Sequence, residues 1–246
     1  MDKRLVAASL AAVVIASSQS ATAFAQNVAD RTETAVTEAY KSGPDARLRY
    51  ARELFEHGMY VKAREIFSGY PHDMTASGYA VLCDVKMQSN GYETKLEKYI
   101  SEYPFSGMVP QLRFAHALNL FAADDYPSAS TEFAEVNVAG LYKNQLPEYT
   151  FKKAYSDFEI GLEEAARLGF MKVVGFPRND YQAPSCYSIG YIWYEREKFS
   201  QAQEWFEKSA KDQRFAEVSS YYIMECRFME KDYKYVTDHA AKMYAS

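Results

Sequence analysis

Four histidines, three cysteines and two acidic pairs are the residues of this chain that could carry chemistry. His57, His72, His116 and His239 could ligate a metal or move a proton, but none has a second histidine at metal-ligand spacing. His116 lies in an apolar helical pattern and reads as a packed or bridging residue. Asp124-Asp125 has the composition of a cation-binding pair, yet it separates two apolar periodic segments and reads as a turn. Glu163-Glu164 and Glu195-Arg196-Glu197-Lys198 read as solvated charges of helix surface and turn. Cys83, Cys186 and Cys226 are odd in number, so they cannot close a disulfide framework. All three sit in apolar helical patterns, where cysteine behaves as a small buried hydrophobe. No CxxC, Cys/His cluster, glycine-rich phosphate loop, GxSxG, HExxH or calcium loop occurs in the sequence. The expectation is a protein that is not an enzyme, with no catalytic residue, metal or cofactor.

What is abundant instead is aromatic surface: 15% of the 246 residues are aromatic, 21 of them Tyr. Only 11 Gly and 8 Pro punctuate the chain, which suits long helices joined by short turns better than a many-stranded sandwich. A formal net charge of −5 provides no field for a nucleic-acid backbone. A single continuously apolar stretch excludes a multi-span membrane protein.

That stretch is at the N-terminus. Met1-Asp2-Lys3-Arg4 is a short charged region, Leu5 to Ala16 is apolar, and Ala23-Phe24-Ala25 offers small residues where a signal peptidase reads them. Residues 1–25 are therefore expected to be a signal peptide, with Gln26 as the new N-terminus and export to the periplasm. The first cysteine, Cys83, is far from that point, so the expectation is a soluble protein rather than a lipoprotein. No membrane span remains in the mature chain. Residues 26–43 form a polar leader.

Beyond it the sequence repeats. Pairs of the form Ala-x-x-x-Phe occur at Ala63/Phe67, Ala129/Phe133, Ala166/Phe170 and Ala202/Phe206, with Leu96/Ile100 and Val236/Ala240 as variants. Successive units are 33, 33, 37, 36 and 34 residues apart. Eight residues before each lies Phe55, Gln88, Phe121, Phe158, Tyr194 or Phe228. Four earlier lies Ala51, Asp84, Ala117, Ala154, Gly190 or Met224. Three earlier again lies Leu48, Val81, Phe114, Phe151, Tyr187 or Tyr221. Steps of three and four put these columns on one stripe of a first helix, whose small residues admit the paired helix. Pro44, Pro110 and Pro147 precede first helices, where a missing N–H costs nothing. Gly58 and Gly91 mark turns within units. The spacing predicts six helical hairpins at roughly 44–71, 74–104, 108–138, 147–174, 183–211 and 215–245, with the longest connection at Gly175 to Gln182.

A unit of about 34 residues, with alanine and an aromatic on its second helix, resembles the tetratricopeptide repeat (TPR). The resemblance covers residues 44–245. The usual Trp, Leu and Gly of the first helix are mostly replaced; only the fifth unit keeps Gly190 with a nearby Trp193. Tyr103-Pro104-Phe105-Ser106, followed by Asp-Tyr-x-x-Ala-x-x-x-Phe at 125–133, resembles exported repeat proteins of the Gram-negative envelope. The run Glu148 to Tyr155 and the Tyr-rich fifth unit resemble the N-terminal part of large periplasmic TPR proteins of Bacteroidota-type bacteria. The resemblance implies an all-α, right-handed α-solenoid over 44–246 that binds a protein or peptide partner as an envelope scaffold. A glycan-binding helical-repeat module is the alternative; Trp193 and Trp205, inside helices rather than on loops, weigh against it.

Stacked hairpins line a concave wall with their first helices. In the last three units these carry Phe151, Tyr155 and Phe158; Tyr187, Tyr191 and Tyr194; and Tyr221, Tyr222 and Phe228. Phe151, Tyr155, Tyr187, Tyr191, Tyr194, Tyr221 and Tyr222 are the candidate groove. Tyr155 and Tyr191 are the sharpest candidates, about 40–60° round the helix from the core columns. The last helix carries an apolar stripe of Tyr233, Val236, Ala240, Met243 and Tyr244. It either packs within its own hairpin or docks onto a partner, a second copy or a continuation of the array.

Overall fold

The computed structural model describes residues 43–243, and side chains as far as residue 239. The expected signal peptide, 1–25, and almost all of the expected leader, 26–43, lie outside the described residues. The regular structure of the described residues is all helical, with no strand among them. Among the described residues twelve α-helices run in order: α1 (Pro44–Glu56), α2 (Tyr60–Ser68), α3 (Met74–Lys86), α4 (Tyr92–Glu102), α5 (Val109–Ala122), α6 (Tyr126–Ala134), α7 (Leu146–Glu159), α8 (Glu163–Val174), α9 (Gln182–Glu195), α10 (Phe199–Ser209), α11 (Gln213–Met229) and α12 (Tyr233–Met243). They are the six expected hairpins.

Local chemistry sets the ends. Proline occupies the first turn of α1, α5 and α7. Asp73 caps α3 by accepting the Ala76 N–H at 2.8 Å, and Asp212 caps α11 by accepting that of Arg214 at 3.0 Å. First helices end in a left-handed residue whose successor reaches back five residues. Met59 N–H bonds Leu54 C=O after Gly58, Leu162 bonds Asp157 after Gly161, Lys198 bonds Trp193 after Glu197, and Asp232 bonds Arg227 after Lys231.

The second hairpin departs from the expected register. Gln88 does not sit in the aromatic column; α3 stops at Lys86 and Gln88 itself takes the left-handed cap, with Ser89 N–H on Asp84 C=O. Gly91, also left-handed, then opens α4. The longest connection among the described residues is 135–145, not 175–182. It holds two single 3-10 turns, Val138–Gly140 and Lys143–Gln145, the first begun by Asn137 accepting the Ala139 N–H.

The described chain falls into two compact units, 43–124 with 132–141, and 125–131 with 142–243. In the first, Tyr50, Ala51, Leu54, Ala63, Phe67 and Cys83 pack one core, and Leu82, Val85, Leu96, Tyr99 and Leu112 another. In the second, Phe151, Phe170, Tyr187, Ile192, Phe206 and Phe215 are wholly buried. The alanines Ala63, Ala129, Ala166 and Ala202 and the aromatics four residues on are buried, as close helix pairing requires.

Candidate functional site

The second unit is an aromatic network built on α7, α9 and α11. Tyr222 on α11 is its centre. Its ring stacks on Phe206 (5.0 Å, 15°) and meets Tyr187, Tyr191 and Tyr194 at 6.0, 5.9 and 5.2 Å. Phe158 meets Tyr191 edge-on at 6.1 Å. Phe151 lies among Tyr155, Phe170 and Tyr181 at 6.2, 5.6 and 5.2 Å. Offset and edge contacts of this kind add to what burial alone contributes.

This corrects the expected groove. Phe151 and Tyr187 are 1% exposed, Tyr155 and Tyr191 4%, and Tyr222 6%, so none has a ring face to offer a partner. Tyr194 and Tyr221 alone of the seven are half-buried. The reason lies in the width of the buried arc. In α9 every residue from Pro184 to Ile192 is buried, because the helix packs on α8, α10 and α11 at once. An offset of 40–60° from the core stripe does not reach solvent on such a helix. The signal was in the sequence: no charged residue occurs between Ala183 and Tyr194.

The surviving surface is a rim. Tyr194 and Tyr221 both contact Tyr222, at 5.2 and 5.4 Å, and Phe199 meets Tyr194 edge-on at 5.8 Å. The carboxylates of Glu195 and Glu225 stand beside them. Burial first, then the Glu225 charge, pushes the Tyr194 hydroxyl up to about 12. Burial and the Glu195 carboxylate raise Tyr191 likewise. The rim therefore offers neutral hydroxyls and negative charge over an aromatic floor.

The other sequence candidates have ordinary surroundings, and His72 is exposed. Tyr92 hydroxyl and His116 Nδ1 are 3.1 Å apart, and His57 and His239 each bond a carbonyl one turn back. Cys83, Cys186 and Cys226 are buried, and burial raises all three thiols, Cys83 and Cys226 to about 12. Asp124 is a left-handed turn residue, and Asp125 accepts the Ser128 N–H. Glu163 and Glu164 pair with Arg196 from the next hairpin at 2.9 and 3.4 Å. Tyr233 is 55% exposed beside Phe228, Val236 is half-buried, and the side chains at 240–246 lie outside the described residues.

A solved structure described as the functional characterization of Pseudomonas aeruginosa pilF, a TPR-containing protein, is similar over 82% of this chain and 91% of its own, at 12% sequence identity and a TM-score of 0.53. No family model and no curated protein matches the chain. The fold is of the tetratricopeptide-repeat type. Within it lies a feature that the sequence reading missed. After three of the four close-contact alanines the next residue bonds to the following hairpin: Arg64 to Asp84 (2.7 Å), Ser130 to Asp157, and Gln203 to Glu230 (2.8 Å). After Ala166, Arg167 pairs instead with Glu164 on its own helix and meets the next hairpin only over the Trp193 ring. Asp84 and Asp157 are buried, and each also holds a lysine, Lys95 at 2.6 Å and Lys153 at 2.7 Å. These TPR-type units are thus joined by polar pairs as well as by apolar stripes. The partners vary in type from unit to unit, which hides the column from a search for identical residues.

Proposed function

We propose that this chain is a non-catalytic scaffold of the bacterial cell envelope that binds a protein or peptide segment at the rim formed by Tyr194 and Tyr221. Residues 1–25 direct export, 26–43 are a leader, and 44–246 act as one TPR-like array in the periplasm. The observation that carries the reading is the pair of half-buried tyrosines over a fixed aromatic floor within a TPR-type repeat. Tyrosine there offers a stiff apolar face at small entropic cost, with a hydroxyl and the Glu195 and Glu225 carboxylates to orient a partner's donors. The likeness to exported repeat proteins of Bacteroidota-type bacteria rests on the motifs quoted above.

The glycan alternative is disfavoured by the tryptophans. Arg167 and Arg196 lie over the Trp193 ring at 5.4 and 5.5 Å, and Lys208 over that of Trp205 at 3.6 Å. Rings held in this way are poor sugar platforms.

The test is capture from envelope extract on the purified chain, with Tyr194→Ala/Tyr221→Ala as the comparison. A protein retained by the parent and lost by the double variant supports the proposal. Equal retention by both, with native helical content, refutes the rim. Intact mass after export should show Gln26 first; retention of Met1 would refute the address.

A further inference from the structure

The second unit also contains a cleft of ≈ 690 Å³ at the far ends of its hairpins, formed by the segment after α8, the start of α9 and the α10–α11 connection. Its volume is within the ~300–1,000 Å³ usual for ligand sites. Four cations line it, Arg178, Lys208, Lys211 and Arg214, against two carboxylates, Asp180 and Asp212.

The charges are unevenly committed. Asp212 takes Arg214 in a two-point pair, Nε to Oδ1 at 3.0 Å and Nη2 to Oδ2 at 2.7 Å. Arg214 also donates to the Asp180 carbonyl at 3.3 Å, and the Asp180 charge acts on the same guanidinium. One arginine thus draws both carboxylates. Arg178, Lys208 and Lys211 have no ion-pair partner among the described residues, and all three are exposed. Lys208 is nevertheless held in place, its ammonium 3.6 Å from the centre of the Trp205 ring. Between these charges the wall is apolar: Val174, Ala183 and the buried Cys186.

We propose that this cleft binds an acidic peptide segment, with its carboxylates on Lys208, Lys211 and Arg178 and an apolar side chain against Val174, Ala183 and Cys186. The cations come from separate elements and are spread along a partly apolar trough. That suits carboxylates spaced on an extended chain rather than one compact anion. Asp180 and Asp212 near the cations repel a dense polyanion such as phosphate while leaving room for single carboxylates. The site is distinct from the Tyr194–Tyr221 rim, whose own carboxylates would repel the same ligand.

The experiment is calorimetric titration of the whole chain, at low salt, with a short blocked peptide alternating glutamate and leucine. The lysine–leucine counterpart and inorganic phosphate alone are the comparison probes. The acidic peptide should bind, and the affinity should fall with added salt. Lys208→Gln/Lys211→Gln should weaken binding at least about tenfold, and Arg178→Gln severalfold, each with native helical content. Tyr194→Ala/Tyr221→Ala should leave binding unchanged. Equal binding by the cleft variants, equal binding of the basic peptide, or binding of phosphate without the peptide would each overturn the proposal. Loss of binding in the tyrosine variant would move the peptide to the rim and overturn it too. Failure of all peptide binding would leave capture of a partner at the rim untouched, so the two ideas fail separately.

Discussion

Gly190 on α9 lies directly against the ring of Phe206 on α10: a methyl placed on its Cα would sit 2.9 Å from both Cδ1 and Cε1. Phe206 is fully buried and stacked on Tyr222, so it cannot retreat. Gly190→Ala gains helix propensity, about 1 kcal/mol at an open site. Here it overpacks a closed one, at a cost of about 1–3 kcal/mol. The expected net result is a loss of about 1 kcal/mol, measured by urea denaturation. A gain in stability would show that the two helices are not in contact here.

The left-handed caps give a second prediction of opposite sign at two chemically unlike positions. Gly161 at φ 84 and Glu197 at φ 56 occupy the same place in successive hairpins. Gly161→Ala should destabilise the fold by about 1 kcal/mol, the steric cost of a Cβ in that region. Glu197→Gly removes that cost and loses some chain entropy, so it should stabilise by about 0.5 kcal/mol. The check is the midpoint of thermal or urea unfolding for both variants.

Asp84 supplies a pH test. Burial works to raise its pKa, and the Lys95 and Arg64 hydrogen bonds overcome that and hold the carboxyl below the ordinary range. A folded value below the unfolded one means stability that is present above about pH 4 and is lost as pH falls through the folded value. Because Lys95 and Arg64 are substantially exposed, the contribution is discounted to about 1–2 kcal/mol. Asp84→Asn should lose that amount near neutrality. Urea midpoints of parent and variant should draw together as pH falls below about 4; a gap that does not narrow in acid would contradict the pairing.

At the alkaline end the aromatic network makes the opposite statement. Burial, the first cause in each case, raises the hydroxyls of Tyr187, Tyr191, Tyr194 and Tyr222. Stability from these groups is full below the unfolded value near 10 and is lost as pH rises through the folded values, about 12 for Tyr194. The urea midpoint should therefore drop between about pH 9 and about pH 11.5, and Tyr194→Phe should lessen the drop.

The hairpins were legible because two periodicities act at once: the helical step within each stripe and the 33- to 37-residue spacing of the units. Each depends on local sequence, so helix ends fall within a few residues of the reading. What was not legible depends on how much of each helix a neighbour covers. Tyr191 and Tyr194 are three residues apart on one helix, yet the first is packed and the second reaches the rim. Both meet Tyr222 on α11, but Phe158 from the preceding hairpin also covers Tyr191. Gln88 was misplaced for a related reason: the cap it forms depends on φ, to which hydrophobic patterning is blind. The cleft was missed because Arg178 is distant in sequence from Lys208 and Lys211, and the three follow no repeat.

The polar residues that follow Ala63, Ala129 and Ala202 also match each hairpin to its own successor. The buried carboxylate of Asp157 accepts a serine hydroxyl from the hairpin before it, whereas that of Asp84 takes an arginine from its own predecessor. Glu230 takes an amide and a hydroxyl, from Gln203 and Ser200. A hairpin transplanted to another position would present the wrong group and leave a buried acid bare. Such pairs act as a lock and key between particular neighbours, so shuffling the hairpins around Asp84 or Asp157 is expected to destabilise the fold where outer-face changes do not.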